Sequence, residues 1–201
     1  RRLVHVCHTF VQHLTGGLGM VTVLSATFFA AISGSAPATT SAIGSIMIPE
    51  MESRGYRRDF STGLAVAAGP IGQMIPPSIP MIIWGVISEQ SIAKLFLAGV
   101  IPGLLIAVGL MILCAVMARS MEVSAKMRRA TGREMLTALA EGKWALGAPV
   151  IVLGGIYGGI FTPTEAASVG VVYGFVVGFF IYKEISLKDL PAILLDSMKV
   201  T

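Results

Sequence analysis

Hydroxyl-bearing and helix-breaking residues interrupt an apolar stretch near the start of the chain. Residues 30 to 48 read AAISGSAPATTSAIGSIMI, and their central hydroxyl-bearing residues are Ser33, Ser35, Thr39 and Thr40. Gly34 and Pro37 should break the helix here and free backbone carbonyls. Neutral hydroxyl and carbonyl oxygens are ligands that a Na⁺ ion accepts. The stretch therefore predicts a sodium site, although small hydroxylated residues would also permit close helix packing.

A second interruption follows in the same apolar half of the chain. Residues 69 to 80 read GPIGQMIPPSIP. Consecutive prolines remove backbone donors and unwind a helix into two half-helices, which frees carbonyls such as those of Gly72 and Ile75. Paired broken elements mark the binding site of many secondary transporters. We therefore add to the candidate site Gly72, Ile75, Pro76, Pro77 and Ser78, with a simple proline kink as the alternative.

Catalytic chemistry is not predicted. Every histidine precedes Leu14, so no later histidine could activate Ser35 as the nucleophile of an intramembrane protease. His5 and His8 share a helix face, but no Cys, Asp or Glu joins them at ligand spacing, and surface histidines are expected. The chain also contains no P-loop or GxGxxG pattern. Glu165, in TPTEAAS, is expected to support a helix cap made by Thr162 or Thr164.

The elements that must position these residues are membrane helices. The 201 residues are 54% hydrophobic and 13% charged, whereas a soluble domain carries about 25% charged residues. The formal charge of +4 comes from basic residues between apolar blocks, which favours the positive-inside effect over nucleic-acid binding. Four spans are predicted, at residues 60–88, 91–118, 144–161 and 163–182.

The first broken element is predicted to be a re-entrant hairpin over residues 16–48. Gly16 to Ser33 is a helix-length run, but Ala38 to Ile48 would reach only about 17 Å as a helix. A hairpin returns the chain to its starting side, which places nearly all basic loops on one face, the cytoplasmic one. Two short full spans would give the same topology. Leu3, Val6, Phe10 and Leu14 recur at helical spacing and predict an interfacial arm helix before the hairpin.

Four motifs together resemble a known family. They are SGSAPATTSAIGSIMIPEMESRGY, GPIGQMIPPSIPMIIWGV, FLAGVIPGLL and FTPTEAASVGVVYG. They resemble, in the family's order and over essentially the whole chain, the large membrane (M) subunit of a tripartite ATP-independent periplasmic (TRAP) transporter. The resemblance implies an all-α membrane protein of the bacterial or archaeal cytoplasmic (inner) membrane, part of an inverted-repeat elevator that imports organic acids with Na⁺. It also implies a first Na⁺ site at Ser33 with Ser35 close by, and at Gly72, Ile75 and Pro77.

The resemblance further implies a domain layout and partners. Residues 1–15 would be the arm helix, 16–88 half of the transport domain, 89–143 a connecting helix with a basic cytoplasmic loop, and 144–201 the start of a second repeat. A small membrane (Q) subunit and a periplasmic substrate-binding (P) protein would complete the system. The second hairpin and second Na⁺ site are missing, so we expect the chain to be a piece of a longer protein.

The substrate and the coupling ion stay open at this point. C4-dicarboxylates, sialic acid and other organic acids are all compatible with the motifs, and a non-transport membrane scaffold or channel component is the competing interpretation. Proton coupling could replace Na⁺. The absence of any carboxylate between Asp59 and Glu89 argues mildly against a proton relay at the broken helix.

Overall fold

The protein is built from helices. A computed structural model describes residues 2–121, 128–183, 185–186 and 189–200, and all regular structure within these ranges is helical. In chain order the elements are α1 (Arg2–Val11), α2 (Gly17–Ser33), α3 (Ala36–Ser53), α4 (Arg58–Ala68), α5 (Ile71–Met74), α6 (Ile79–Ile87), α7 (Ile92–Ser120), α8 (Gly132–Tyr157), α9 (Pro163–Val176), a π-helix (Val177–Ile181) and α10 (Leu190–Val200). The all-α prediction is confirmed. The chain forms two compact units, Arg1–Leu146 and Gly147–Thr201.

Within the described residues, four helical segments are long and apolar enough to cross a membrane. They are Arg58–Ile87, Ile92–Ser120, Gly132–Tyr157 and Pro163–Ile181. This confirms the number and place of the predicted spans. The third begins earlier than predicted, at Gly132 and not near Trp144, because helix-favouring residues such as Arg133 and Glu134 extend it. Thr131 starts this extension with a capping box: its N–H donates to the Glu134 carboxylate at 2.7 Å, and the Glu134 N–H donates to the Thr131 hydroxyl at 3.4 Å.

The arm helix is shorter than predicted. Leu3 and Val6 on α1 are buried, as the helical spacing predicts, whereas His5 on the opposite face is exposed. The helix ends at Val11, so Leu14 lies beyond it and is 41% exposed. Placing Leu14 in the apolar stripe of this helix was therefore wrong.

Helix α2 is the centre of the first unit. It packs against α1, α3, α4, α5 and α7. Val21 and Val23 point in different directions from this helix and are both fully buried, as expected for a helix that is apolar all round. A methyl group added at Gly19 would lie 2.9 Å from the Cys114 sulfur, so the missing side chain lets α7 approach. Helix α2 thus sits inside the unit.

The second unit starts within α8 and contains α9. A capping box begins α9: the Thr162 N–H donates to the Glu165 carboxylate at 2.8 Å, and the Glu165 N–H donates to the Thr162 hydroxyl at 3.3 Å. The predicted cap is confirmed with Thr162 as the capping residue. Thr164 lies inside the helix.

Candidate functional site

The hairpin turns within two residues. Helix α2 ends at Ser33, and Gly34 adopts the left-handed conformation with φ of 62°, donating its N–H to the Ala30 carbonyl at 3.0 Å. Glycine reaches this conformation without the steric cost that a Cβ imposes. Ser35 then caps α3, its hydroxyl accepting from the Ala38 N–H at 3.5 Å. Two helices joined by a tight turn are therefore present where the hairpin was predicted.

The second helix of the hairpin is longer than its apolar part. It continues through Pro49 to Ser53, past the predicted end at Ile48. Its 18 residues span about 27 Å. The added turn contains Glu50 and Glu52, so the extension is polar and the apolar length is close to the prediction. The re-entrant path of the hairpin stays a prediction.

The helix after the hairpin is broken where its prolines predict. Helix α4 ends before Gly69, α5 is a single turn, and α6 starts only after Ser78. Pro76 has no N–H, so the Gly72 carbonyl loses the donor that a continuous helix would give it. Pro77 likewise cannot serve the Gln73 carbonyl, which instead accepts from the buried Ser78 hydroxyl at 2.6 Å.

A hydrogen bond joins the two broken elements. The Ile79 N–H donates to the Gly34 carbonyl at 3.3 Å. In a continuous helix that N–H would serve the carbonyl of Ile75, which therefore loses its helical donor. A methyl group added at Gly34 would lie 2.5 Å from the Pro77 carbonyl oxygen. The hairpin turn and the break thus touch backbone to backbone.

The first turn of α3 touches the break at a second glycine. A methyl group added at Gly72 would lie 2.6 Å from the Thr39 hydroxyl oxygen and 2.9 Å from the Ser35 carbonyl oxygen. Ordinary van der Waals contact for such a methyl begins near 3.4 Å. Only glycine at this position allows the two chains to approach so closely.

The hydroxyls of the hairpin form one network next to Gly72. The Thr39 hydroxyl donates to the Ser35 carbonyl at 2.8 Å, and the Ser33 and Thr39 hydroxyl oxygens are 3.0 Å apart. The Ser33 hydroxyl also lies 3.5 Å from the Ser35 carbonyl oxygen. The Ser35 N–H approaches the Ser33 oxygen at 3.4 Å. Thr39 is fully buried, whereas Ser33 and Ser35 are half-buried.

The oxygen cluster is electrically neutral. Residues 3–49 and 60–88 contain no Asp, Glu, Lys or Arg. Hydroxyls and carbonyls, with dipoles and no net charge, therefore form the surroundings of the cluster within these segments. Such a set can replace the hydration shell of a monovalent cation, as unwound carbonyls do in broken-helix transporters.

The structure brings most of the predicted site residues together. Around the contact lie Ser33, Gly34, Ser35, Thr39, Gly72, Pro77 and Ser78. Pro76 is buried in the break between them. The Ile75 side chain packs against Gly103 of α7, so Ile75 can contribute only through its backbone. Thr40 contacts the position of Gly69 and not that of Gly72, which places its hydroxyl one turn away along the broken helix.

Two glycines of α7 that meet the break were missed. Gly99 fits against the Met74 carbonyl. A methyl group added at Gly103 would lie 2.7 Å from Ile75 Cγ1. The signal was present: Gly99 and Gly103 form a GxxxG spacing, which lets helices approach closely in membranes.

The chain matches known proteins along its whole length. The family model "Tripartite ATP-independent periplasmic transporter, DctM component" matches residues 1–201. A "C4-dicarboxylate TRAP transporter large permease protein DctM" from Pseudomonas aeruginosa is 45% identical over 201 residues, which is all of this chain and 47% of that protein.

Other similar proteins carry different substrate names. An "Isethionate TRAP transporter permease protein DctMQ" from Oleidesulfovibrio alaskensis is 46% identical over 92% of this chain and 29% of that protein. An "Ectoine TRAP transporter large permease protein TeaC" from Halomonas elongata is 43% identical over 96% of this chain and 45% of that protein. The chain therefore spans about half the length, or less, of these relatives.

Proposed function

The chain belongs to the DctM family of tripartite ATP-independent periplasmic transporters, and from this premise we propose that it forms the first transport half of a Na⁺-coupled permease for organic acids. The complete permease would lie in the cytoplasmic membrane of a bacterium or archaeon. A periplasmic binding protein would deliver the substrate, and a small membrane subunit, separate or fused, would complete the complex.

One observation carries the sodium proposal: the hairpin turn and the broken helix meet at an uncharged oxygen cluster. Ser33, Ser35 and Thr39 supply oxygens from the hairpin, and a Cβ at Gly72 would fall on two of them. The carbonyls of Gly72 and Ile75 have lost their helical donors. A Na⁺ ion would bind to such carbonyl and hydroxyl oxygens in place of water. Because these neutral ligands compete with water only weakly, the ion could leave again, as a transport cycle requires.

The organic-acid proposal rests on family membership. The relatives are named for a C4-dicarboxylate, isethionate and ectoine, so the family name alone does not select one substrate. We propose a small organic acid as the cargo. Transport would proceed by an elevator movement of the half that contains the hairpin and the broken helix.

The experiment is uptake by the complete permease, reconstituted in liposomes with its binding protein under an imposed Na⁺ gradient. The test protein carries Ser33→Ala with Gly72→Val. The control carries Ser45→Ala with Gly63→Val, since Ser45 is exposed and a methyl at Gly63 meets no atom within 4 Å. We expect Na⁺-dependent uptake in the wild type and the control, and its loss in the folded test protein. Na⁺-independent uptake, unchanged in the test protein, would refute the site.

The same pair of variants separates transport from a packing role. If the small residues only allow helices to pack, the test protein should lose expression or thermal stability while any folded fraction behaves normally. If they form an ion site, folded protein should remain with weakened Na⁺ dependence. Size-exclusion chromatography and thermal unfolding of both variants are therefore measured beside uptake.

A further inference from the structure

A large polar cavity lies in the first unit, away from the oxygen cluster. It has a volume of about 760 Å³, is partly open to solvent, and is lined by α1 and by the chain from Arg128 to Ala138, including the start of α8. Four of its lining residues have basic side chains: His5, His8, Arg128 and Arg133. The transport proposal uses none of them.

The charge of this cavity is positive at neutral pH. Among the described residues that line it, Glu134 is the acidic one, and it is already engaged: one carboxylate oxygen accepts from Arg128 at 2.6 Å and the other from the Thr131 N–H at 2.7 Å. The described lining thus contains two arginines and one occupied carboxylate. Arg133 is left as a guanidinium at the cavity wall, and guanidinium groups bind phosphate oxygens in a fork geometry.

His8 lies half-buried at the cavity wall. Burial, and next the nearby Arg54 guanidinium, lower the pKa of His8, while Glu50 partly opposes them. His8 is therefore mainly neutral at pH 7 and can offer one ring N–H to an anion. His5, which lines the same cavity, is exposed.

The position of the cavity matches the polar boundary of a membrane. Helix α8 begins at the cavity and continues into the span Gly132–Tyr157. Helix α1 is amphipathic: behind its cavity face, Val6 and Phe10 line a second, apolar cavity of about 280 Å³ together with Leu24 and Leu139. A methyl group added at Gly142 would lie 2.5 Å from Val6 Cγ2, so α1 and α8 are in contact. Helix α1 therefore has a polar surface on one face and an apolar surface on the other, as a helix that lies at a membrane interface does.

We propose that the polar cavity binds the phosphate of an anionic phospholipid in the cytoplasmic leaflet. Arg133 would pair with the phosphate, and His5 and His8 would donate further hydrogen bonds. Basic pockets beside membrane helices on the cytoplasmic side are suited to anionic head groups. A lipid is favoured over free phosphate because the cavity opens where a membrane span begins. The site anchors the arm helix to α8 through the lipid.

The test measures lipid binding to the complete permease in detergent. Phosphatidylglycerol, phosphatidylcholine and inorganic phosphate are titrated separately, and adducts are followed by native mass spectrometry together with the thermal unfolding midpoint. We expect binding and stabilisation by phosphatidylglycerol alone. Arg133→Gln should weaken phosphatidylglycerol binding about tenfold or more, since one charged hydrogen-bond partner is lost. Arg133→Lys should recover part of this loss.

Arg129→Gln is the matched control, because this substitution removes the same charge from a residue that is exposed and does not line the cavity. Its phosphatidylglycerol affinity should stay within about twofold of wild type, as expected for a rim charge. Equal losses in the Arg129 and Arg133 variants would mean diffuse surface attraction and overturn the proposal. Equal binding of phosphatidylcholine, or full stabilisation by inorganic phosphate, would overturn the lipid assignment. If Arg133→Gln does not fold, the three titrations of the wild type decide alone.

Discussion

Gly72→Ala is the most direct perturbation of the oxygen cluster. The new methyl group would lie 2.6 Å from the Thr39 hydroxyl oxygen and 2.9 Å from the Ser35 carbonyl oxygen, where ordinary contact begins near 3.4 Å. The hairpin and the broken helix must therefore separate by about 0.8 Å at Thr39 and about 0.5 Å at Ser35. Both oxygens belong to the proposed Na⁺ shell, so the geometry of that shell changes with the separation.

The size of the effect follows from the cost of overpacking. Adding a methyl to a well-packed interior costs about 1–3 kcal/mol. If that strain falls on the ion-loaded arrangement, Na⁺ binding weakens roughly 5- to 150-fold, because each 1.4 kcal/mol is about a factor of ten. The strain is expected to fall there because a bound ion pulls the hairpin and the break toward one another.

The assay is the Na⁺ concentration that gives half-maximal uptake by the complete permease in liposomes. Gly63→Ala is the control, because it adds the same methyl to α4 where no atom lies within 4 Å. This control should leave the half-maximal concentration unchanged and can stabilise the helix by up to about 1 kcal/mol. A folded Gly72→Ala protein with the half-maximal Na⁺ concentration of the control would refute the reasoning.

Three further outcomes are expected. Gly34→Ala should lower the thermal midpoint more than Gly55→Ala, since both have positive φ but only the first methyl meets a carbonyl, at 2.5 Å; equal midpoints would contradict the contact. Ser78→Ala should lower the free energy of unfolding, measured with denaturant, by about 1–2 kcal/mol, because a buried helix cap and a 2.6 Å hydrogen bond are lost together. Ser91→Ala, which removes an exposed helix cap, should lower it less. Burial raises the pKa of the Cys7 thiol to about 11. Maleimide labelling of the Cys7 peptide, followed by mass spectrometry, should therefore be slow at pH 7–8 and accelerate only as the pH rises toward that pKa. Rapid labelling at pH 7 would contradict the burial of Cys7.

The sequence predicts those features that depend on local chemistry. Single prolines lie within α3, α7 and α8, at Pro49, Pro102 and Pro149. The consecutive prolines 76 and 77 remove two neighbouring donors, so the interruption after Met74 could be predicted from local chemistry. The turn at Gly34 and the caps at Ser35 and Thr162 follow equally from short-range geometry. The spans follow from the length of apolar runs.

Features that depend on long-range approach were not predictable in the same way. The bond from the Ile79 N–H to the Gly34 carbonyl joins residues 45 positions apart, and the sequence reveals only that such a donor lacks its helical acceptor. The pairing of Thr40 with Gly69, one turn from Thr39 and Gly72, depends on how the two helices are placed side by side. Helix propensity also extended α8 to Gly132 across residues whose charge had suggested a loop.

The contact between the two broken elements has a consequence for how they can move. If the hairpin left the broken helix, the Gly34 carbonyl and the Ile79 N–H would both lose their partner, and Ser35 and Thr39 would lose the surface that Gly72 provides. An unpaired backbone group in a bilayer costs several kcal/mol because no water replaces the partner. Separation at this contact therefore costs far more than a movement that keeps it intact. For the proposed transport cycle, the hairpin and the broken helix are then expected to travel as one body that carries the intact oxygen cluster.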